Sequence, residues 1–201
     1  MNYHNIVYPD MNNGSGLRVV LWCSACSHHC VGCQNPQTWD ANSGIPFDEK
    51  AEEELFRELD KDYISGLTLT GGDPLHENNL DDVLKIVNRF RLLCPNKTIW
   101  LYTGYTLHTC KYFDKDIFTF NPNYYHPNPL NGKPTKVDDK SYLIKQDRKR
   151  VEITKLIDVL VDGRYIDSQR NISKKWAGSD NQRIIDVKKS LQQGKVILYC
   201  D

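Results

Sequence analysis

RVVLWCSACSHHCVGC, residues 18–33, joins a short apolar run directly to a cluster of cysteines. Residues 18–22 are mostly apolar and rich in β-branched side chains, which predicts a buried strand. The thiols of Cys26, Cys30 and Cys33 follow this run at the spacing C-x3-C-x2-C. The stretch therefore predicts a strand that ends in a metal-binding loop.

Four further runs predict strands of the same kind. They are LTLT (67–70), TIWLY (98–102), IDVLV (157–161) and the less regular VILYC (196–200). Helical patterns separate the first three strands, with Asp48 able to cap the first helix and Asn79 the second. This alternation favours an α/β fold with a parallel sheet, either an open doubly wound sheet or part of a (β/α) barrel. Periodicity does not separate the two.

Length and charge limit the kind of protein that this chain can be. Its 201 residues suit one domain spanning 1–201, and 26 basic residues balance 26 acidic ones, so no net charge draws the chain to nucleic acid or to a membrane. The apolar runs are far shorter than the roughly 20 residues of a membrane helix. We expect a cytoplasmic protein with no nucleic-acid or membrane partner.

Residues 114–150 interrupt the alternation of strands and helices. Asn and Pro residues at 121–134 mark turns, and a charged run occupies 145–150. Loops of this length are uncommon inside a compact domain unless they have a function. We expect an inserted loop or flap here, either a docking element or a passive surface insertion.

The cysteine cluster has two interpretations from its spacing alone. Three thiolates from one loop can hold a [4Fe-4S] cluster and leave the fourth iron free for another ligand. Adding Cys23 gives C-x2-C-x3-C-x2-C, which could close on zinc as a structural knuckle in a non-catalytic binding module. His28 and His29 are expected to face solvent or ligand rather than to bind metal. Clustering of four of the seven cysteines within 23–33 favours metal over disulfides in either case.

A glycine-rich turn, Thr70-Gly71-Gly72-Asp73-Pro74, follows the second predicted strand. Glycines at the end of a strand let a ligand approach the backbone, and the Asp73 carboxylate could accept hydrogen bonds from an ammonium group. Taken alone, such a sequence is most often an ordinary turn. It would, however, lie with the cysteine loop at the carboxyl ends of parallel strands, where α/β folds bind ligands.

These two motifs resemble those of the radical S-adenosylmethionine superfamily. Further segments make the chain similar to one family within it, the activating proteins of anaerobic (class III) ribonucleoside-triphosphate reductases. These segments are 2–4, 13–16, Asn35 with Thr38-Trp39, 71–75, Trp100 with 103–105, 158–163 and 176–182. The resemblance covers the chain except for 111–152 and a short C-terminal tail.

The resemblance implies a partial (β/α) barrel of the radical S-adenosylmethionine type. A [4Fe-4S] cluster would lie on Cys26, Cys30 and Cys33 as the catalytic centre, with S-adenosylmethionine on its fourth iron. Gly71, Gly72 and Asp73 would receive the methionine end, and the backbone of Gly32, Cys33 and Gln34 would lie beside the adenosyl portion. Asp162, Arg164, Trp176 and the Gly178-Ser179 turn are expected near the site, whereas Cys94, Cys110 and Cys200 are expected to be incidental thiols.

The implied reaction transfers one electron from an external donor such as flavodoxin and cleaves S-adenosylmethionine reductively. The resulting 5′-deoxyadenosyl radical would abstract hydrogen from a glycine of the reductase and leave a glycyl radical. An activator of another glycyl-radical enzyme is the alternative. Three residues depart from the family: Gln34 replaces an aromatic residue, Ser15 a proline and Ala177 an arginine. Gln34 leaves the stacking partner of adenine open.

Overall fold

A computed structural model describes residues 1–112, 115–121 and 140–199 of the chain. Within these ranges, seven strands form one mixed sheet and two more form a separate hairpin. The strands are β1 (Asn2–Asp10), β2 (Arg18–Cys23), β3 (Ile45–Pro46), β4 (Gly66–Gly71), β5 (Thr98–Tyr102), β6 (His108–Tyr112), β7 (Lys115–Thr119), β8 (Val159–Asp162) and β9 (Arg183–Asp186). The helices are α1 (Glu49–Leu59), α2 (Leu80–Leu93), α3 (Lys140–Lys155) and α4 (Val187–Gln193).

The order of strands in the large sheet is β3-β1-β2-β4-β5-β8-β9. Its four central strands, β2, β4, β5 and β8, are parallel and follow one another in chain order. The outer strands β1, β3 and β9 pair antiparallel. A doubly wound sheet reverses the order of its parallel strands at a switch point, and these four parallel strands show no reversal. The predicted α/β class is confirmed, and the doubly wound alternative is wrong.

The two faces of the sheet carry different layers. Side chains that alternate along the strands pack against all four helices in the main core. This core includes Leu21, Leu69, Leu101 and Leu160 from the sheet, with Leu55, Val83, Ile153 and Val187 from the helices. A smaller cluster of Trp100, Val159, Val161 and Ile184 lies on the opposite face, without helical residues. The described helices therefore cover one face and leave the other to loops.

Arg18 fills the amino-terminal part of that second face. Its side chain is fully buried, and all its N–H groups donate, with Nε at 2.6 Å from the Thr68 hydroxyl and Nη2 at 2.6 Å from the Leu67 carbonyl. Burial lowers the pKa of the guanidinium to about 10, so it remains charged at neutral pH. Trp100 lies with its ring centroid 5.6 Å from the guanidinium carbon. Together they close this end of the sheet.

The sequence runs predict the central strands well and the edges poorly. β2, β4, β5 and β8 correspond to the predicted strands within one or two residues. The run at 196–200 is not a strand in its described part, where Leu198 forms a single bridge to Ile185, and Cys200 lies outside the described residues. The antiparallel strands β1 and β9 have no counterpart among the predictions.

The predicted excursion at 114–150 contains regular structure. β7 pairs with β6, and the charged run 145–150 lies inside α3. These two parts of the segment are therefore regular secondary structure. Residues 113–114 and 122–139 lie outside the described residues, and an inserted flap there stays a prediction. None of the helices in the described ranges has the length and apolarity that crossing a membrane requires.

The two predicted helix caps differ in what their side chains do. Asp48 caps α1 as expected, since its Oδ1 accepts a hydrogen bond from the Ala51 N–H at 3.0 Å. Asn79 precedes α2, but its side chain does not cap the helix. The buried amide instead donates to the carbonyls of Ser24 at 2.7 Å and Asp73 at 2.9 Å. Asn79 therefore joins the loop after β2 to the turn after β4.

We expect Asn79→Ala to lower the free energy of unfolding more than Asp48→Ala does. Losing a cap costs about 1 kcal/mol. Losing Asn79 removes the side-chain donor of the Ser24 carbonyl inside the protein, and an unsatisfied buried group costs about 1–3 kcal/mol besides the cavity created. Urea denaturation of both metal-free variants measures the difference. Equal losses would contradict the structural role of Asn79.

Candidate functional site

One cavity of about 500 Å³ opens at the carboxyl ends of the parallel strands, on the face of the sheet that the described helices leave uncovered. Its walls contain most residues that the sequence predicts for the site: Cys26, Cys30, Cys33, Gln34, Gly71, Gly72, Trp176 and Gly178. Trp22, Thr70 and Tyr102, from the ends of β2, β4 and β5, also line it. This is the position at which α/β folds bind ligands.

The cysteine loop leaves β2 in an irregular conformation that a few backbone bonds hold. Cys26 N–H donates to the Trp39 carbonyl, and Cys33 N–H donates to the Cys30 carbonyl. Gly32 has a φ of +73°, and a Cβ there would lie 2.7 Å from the Asp167 carboxylate. Glycine is therefore required at this point for conformation and for space. Gly32 is not among the cavity-lining residues, so its predicted contact with cofactor stays a prediction.

Cys23 differs from the three loop cysteines. Its thiol is fully buried in the core on the helical face, and burial raises its pKa to about 12. A tetrahedral zinc site needs four ligands around one ion. Within the described ranges, no three His, Cys, Asp or Glu side chains are grouped around one such point. The placement of Cys23 opposes the four-cysteine zinc site.

The donor set suits a [4Fe-4S] cluster. Each cysteine of a cubane binds a different iron, so the three thiolates need not converge on a single point. Cys26, Cys30 and Cys33 all line the same cavity and are only partly buried. Burial raises the pKa of Cys26 to about 11, so its thiol must lose a proton when it binds metal.

The glycine turn packs directly against the start of the cysteine loop. Gly71 has a φ of +102°, and a Cβ on it would lie 2.6 Å from the Cys23 carbonyl oxygen. A Cβ on Gly72 would lie 2.5 Å from the Ala25 carbonyl oxygen. Gly72 and Asp73 N–H groups donate to these same two carbonyls, at 2.8 Å and 2.7 Å. The glycines thus allow two loops of the protein to meet, and both also face the cavity.

The Asp73 carboxylate is occupied by donors from the protein. It is 1% exposed and does not line the cavity. Oδ1 accepts from Leu75 N–H at 2.8 Å, and Oδ2 accepts from Gly104 N–H at 3.0 Å. The Thr103 hydroxyl lies within 3.0 Å of both oxygens, and His28 Nε2 lies 2.7 Å from Oδ2. A direct bond from Asp73 to an ammonium group stays a prediction, and the geometry shows a carboxylate that holds other segments.

His28 joins the cysteine loop to two other strand ends. Arg164 Nε lies 3.3 Å from His28 Nδ1, and Arg164 Nη2 donates to the His28 carbonyl at 2.9 Å. A guanidinium only donates, so Nδ1 accepts and Nε2 carries the hydrogen that goes to Asp73. The ring fills the space over Gly104, where a Cβ would lie 2.3 Å from His28 Cδ2. Asp162, by contrast, binds Arg183 and the Leu107 N–H away from the cavity.

Sequence reasoning missed several cavity residues that strand ends supply. Thr103 and Gly104 follow β5 as Gly72 follows β4, and this common position is a signal that could have found them. Two buried donors in the cavity wall, Trp39 Nε1 and the Tyr102 hydroxyl, have no hydrogen-bond partner among the described residues. Burial raises the pKa of Tyr102, so its hydroxyl keeps its proton. Both residues line the cavity.

Comparison with known proteins agrees with this site. Residues 12–120 and 136–185 match the model of a family described as a 4Fe-4S single cluster domain. An anaerobic ribonucleoside-triphosphate reductase-activating protein of Escherichia coli K12 is 37% identical over 184 residues, which are 90% of this chain and 96% of that protein.

Proteins of the same name in bacteriophage T4 and Vibrio cholerae are each 36% identical over 186 residues. Those residues are 92% of this chain, and 93% and 97% of the relatives, respectively. The ranges that the family model matches include the cysteine loop and the glycine turn. The predicted resemblance is confirmed. The chain belongs to the family of anaerobic ribonucleoside-triphosphate reductase-activating proteins, whose domain is of the single-cluster 4Fe-4S type.

Proposed function

We propose that this chain activates an anaerobic ribonucleoside-triphosphate reductase by reductive cleavage of S-adenosylmethionine and formation of a glycyl radical on that reductase. The observation that carries the proposal is the convergence of Cys26, Cys30 and Cys33 with the Gly71-Gly72 turn on one cavity. The names of the relatives supply the reductase as the target. A reduced cluster would supply the electron that cleaves the sulfonium bond, and an external donor such as flavodoxin would replace it.

The fold proposed with this function is a partial (β/α) barrel of the radical S-adenosylmethionine type. Its support is the chain-order succession of β2, β4, β5 and β8, with helices on one face and the cavity at the carboxyl ends of the strands. Closed (β/α) barrels place their active sites at the same end. The protein's contribution is to bind, to orient and to keep water from the reacting atoms.

Each group in the cavity has a proposed task. The three thiolates would hold three irons, and the backbone of Gly71 and Gly72 would receive the methionine end. Trp39 Nε1 and the Tyr102 hydroxyl would donate to polar atoms of the cofactor, since an unpaired buried donor costs about 1–3 kcal/mol until it is paired. Gln34 lines the cavity but has no aromatic ring on which adenine could stack. Trp22, Trp39 and Tyr102 also line the cavity and would offer such a ring.

A direct experiment tests the proposal. The protein is reconstituted anaerobically with iron and sulfide, reduced, and mixed with S-adenosylmethionine and the anaerobic reductase of the same organism. We expect methionine and 5′-deoxyadenosine as products and a glycyl radical on the reductase by electron paramagnetic resonance. Stoichiometric zinc without iron, or absence of cleavage products from a fully loaded protein, would refute the function.

Single cysteine variants should separate cluster ligands from the core thiol. Cys26→Ala, Cys30→Ala and Cys33→Ala should each lose the cluster, because two thiolates do not hold a cubane firmly. Cys23→Ala is the matched control. It should keep about four irons and four sulfides per chain, since its thiol lies in the helical core. Iron and sulfide analysis after reconstitution gives the result, and a cluster lost in Cys23→Ala alone would contradict the assignment.

Asp73 can affect cofactor binding in two ways, by a direct hydrogen bond to the ammonium group or through the His28 ring that it holds. Asp73→Ala should weaken binding of S-adenosylmethionine by roughly ten- to a hundredfold, since a hydrogen bond to a charged group contributes about 1.5–3 kcal/mol. Gly104→Ala keeps the carboxylate but displaces the His28 ring, because the new Cβ would lie 2.3 Å from Cδ2. We expect it to weaken binding to a similar extent in calorimetric titration of the reconstituted protein, with the affinity expressed per loaded cluster from iron analysis.

His29→Gln is the control for this pair, because His29 is exposed and stacks on Trp39 in the same loop. It should change the affinity less than either variant. If Gly104→Ala binds normally while Asp73→Ala does not, Asp73 contacts the cofactor directly and the positioning role is wrong.

A further inference from the structure

The residues that follow β8 contact the cysteine loop at two points. Arg164 Nη2 donates to the His28 carbonyl at 2.9 Å, and its Nε lies 3.3 Å from His28 Nδ1. Further along, the Asp167 carboxylate packs against Gly32, where a Cβ would lie 2.7 Å from Oδ1. His28 lies between the first and second cysteines of the C-x3-C-x2-C motif, and Gly32 lies between the second and third. Each interval between cysteines is thus contacted once, and we call residues 164–167 the clasp.

The clasp begins from a backbone that other parts of the chain hold. Gly163 N–H donates to the Tyr105 carbonyl at 3.0 Å, and Gln182 Nε2 donates to the Gly163 carbonyl at 3.0 Å. Asn181 Nδ2 donates to the Arg164 carbonyl at 2.8 Å. Because these bonds fix the base of the Arg164 side chain, its guanidinium can hold a neighbouring loop in place.

The turn that the clasp holds has an uncommon conformation and touches the first cysteine. His29 has a φ of +46°, and a non-glycine residue keeps such a conformation only where its surroundings impose it. Arg164 holds the carbonyl that precedes His29, and the His29 ring stacks on Trp39 with centroids 4.7 Å apart. Burial raises the pKa of Cys26, and the backbone N–H groups of His28 and His29 lower it in part, so the turn directs donors at this thiol.

Every proposed ligand of the cluster lies on this one loop, so a single displacement of the loop would move all three thiolates. Retention of the cluster is therefore coupled to the local stability of the loop. Asp73, after the end of β4, holds the loop through the His28 ring, with 2.7 Å between Nε2 and Oδ2. The clasp binds the carbonyl and the other ring nitrogen of the same residue from the end of β8. The loop is thus held from two strand ends.

We propose that the clasp governs retention of the iron–sulfur cluster, with Arg164 as a positioning residue that keeps the cysteine loop closed around it. This inference rests on the cluster of the proposed function and adds what keeps that cluster in place. Opening of the clasp would free the interval between the first two cysteines and would limit the rate at which iron is lost. Arg164 acts through His28 and touches none of the proposed ligands.

The rate of cluster loss tests the inference. The protein is reconstituted anaerobically and mixed with excess EDTA, and the decay of the visible absorbance of the cluster is followed. We expect Arg164→Ala to lose the cluster roughly three- to tenfold faster than the wild type, since a net hydrogen bond contributes about this factor. Arg164→Lys should slow the loss again, because its ammonium group can still donate to the His28 carbonyl.

Arg170→Ala is the matched control, since it removes the same charge from the same stretch of chain and should lose the cluster at the wild-type rate. Amide hydrogen exchange of the loaded protein separates opening of the loop from unfolding of the domain. Arg164→Ala should exchange faster than the wild type at 27–33, and β2 and β4 should exchange as they do in the wild type.

Four results would overturn the inference: wild-type retention in Arg164→Ala, no rescue by Arg164→Lys, equal acceleration in Arg170→Ala, or faster exchange throughout the sheet. Equal acceleration in Arg170→Ala would show that positive charge alone retains the cluster. A wild type that takes up zinc and no iron–sulfur cluster would refute the proposed function and the clasp together. A loaded wild type that cleaves no S-adenosylmethionine would refute the proposed function alone.

Discussion

A carboxylate removed from water needs several hydrogen-bond donors, and Asp73 draws its donors from three segments of the chain. His28 comes from the cysteine loop, Leu75 from its own turn, and Thr103 and Gly104 from the end of β5. Because one buried group binds all of them, these strand ends cannot move independently. The cysteine loop has few backbone bonds of its own, so this attachment fixes its position over the cavity.

The sheet supplies the frame on which this attachment rests. Its second face is filled at the amino end by Arg18 and Trp100, which leaves space at the carboxyl end of the same strands. Within the part of the chain that the structure describes, Arg18 has no carboxylate partner and is held by hydroxyl and carbonyl oxygens instead. A guanidinium satisfied in this way avoids the cost of an orphaned donor while it fills volume. The cavity therefore opens at the carboxyl ends of the strands, and Arg18 and Trp100 close it toward their amino ends.

How much of this could be predicted from the sequence depends on what each element buries. The central strands bury apolar side chains on both faces, so their continuous apolar runs reveal them. β1 does not bury side chains on both faces, since only Tyr3 and Ile6 of its nine residues are buried. Backbone pairing with β2 holds it in place. The motifs that face the cavity were recognisable because their residue types have few other uses. The role of His28 was not recognisable, since it depends on Asp73, which lies 45 residues away in the sequence.

α3 shows why hydrophobic periodicity failed in the segment 140–155. Its buried positions are mainly polar: Gln146, Asp147, Arg150 and Thr154, with Ile153. Asp147 accepts from the Thr119 hydroxyl and the Phe120 N–H, which ties α3 to the end of β7. A helix that packs through hydrogen bonds leaves no apolar stripe in its sequence, and a charged run then looks like a loop.

The same polar packing connects α3 to the site. Arg150 Nε donates to the Leu75 carbonyl at 2.9 Å, and its guanidinium lies 4.3 Å from the centre of the Tyr105 ring. Tyr105 in turn contacts the His28 ring edge to face, with centroids 4.7 Å apart. Leu75 and His28 are both bound to Asp73, so α3 supports the attachment of the cysteine loop from behind. Arg150, one of the charged residues that made this helix look like a loop in the sequence, thus also connects the helix to the site.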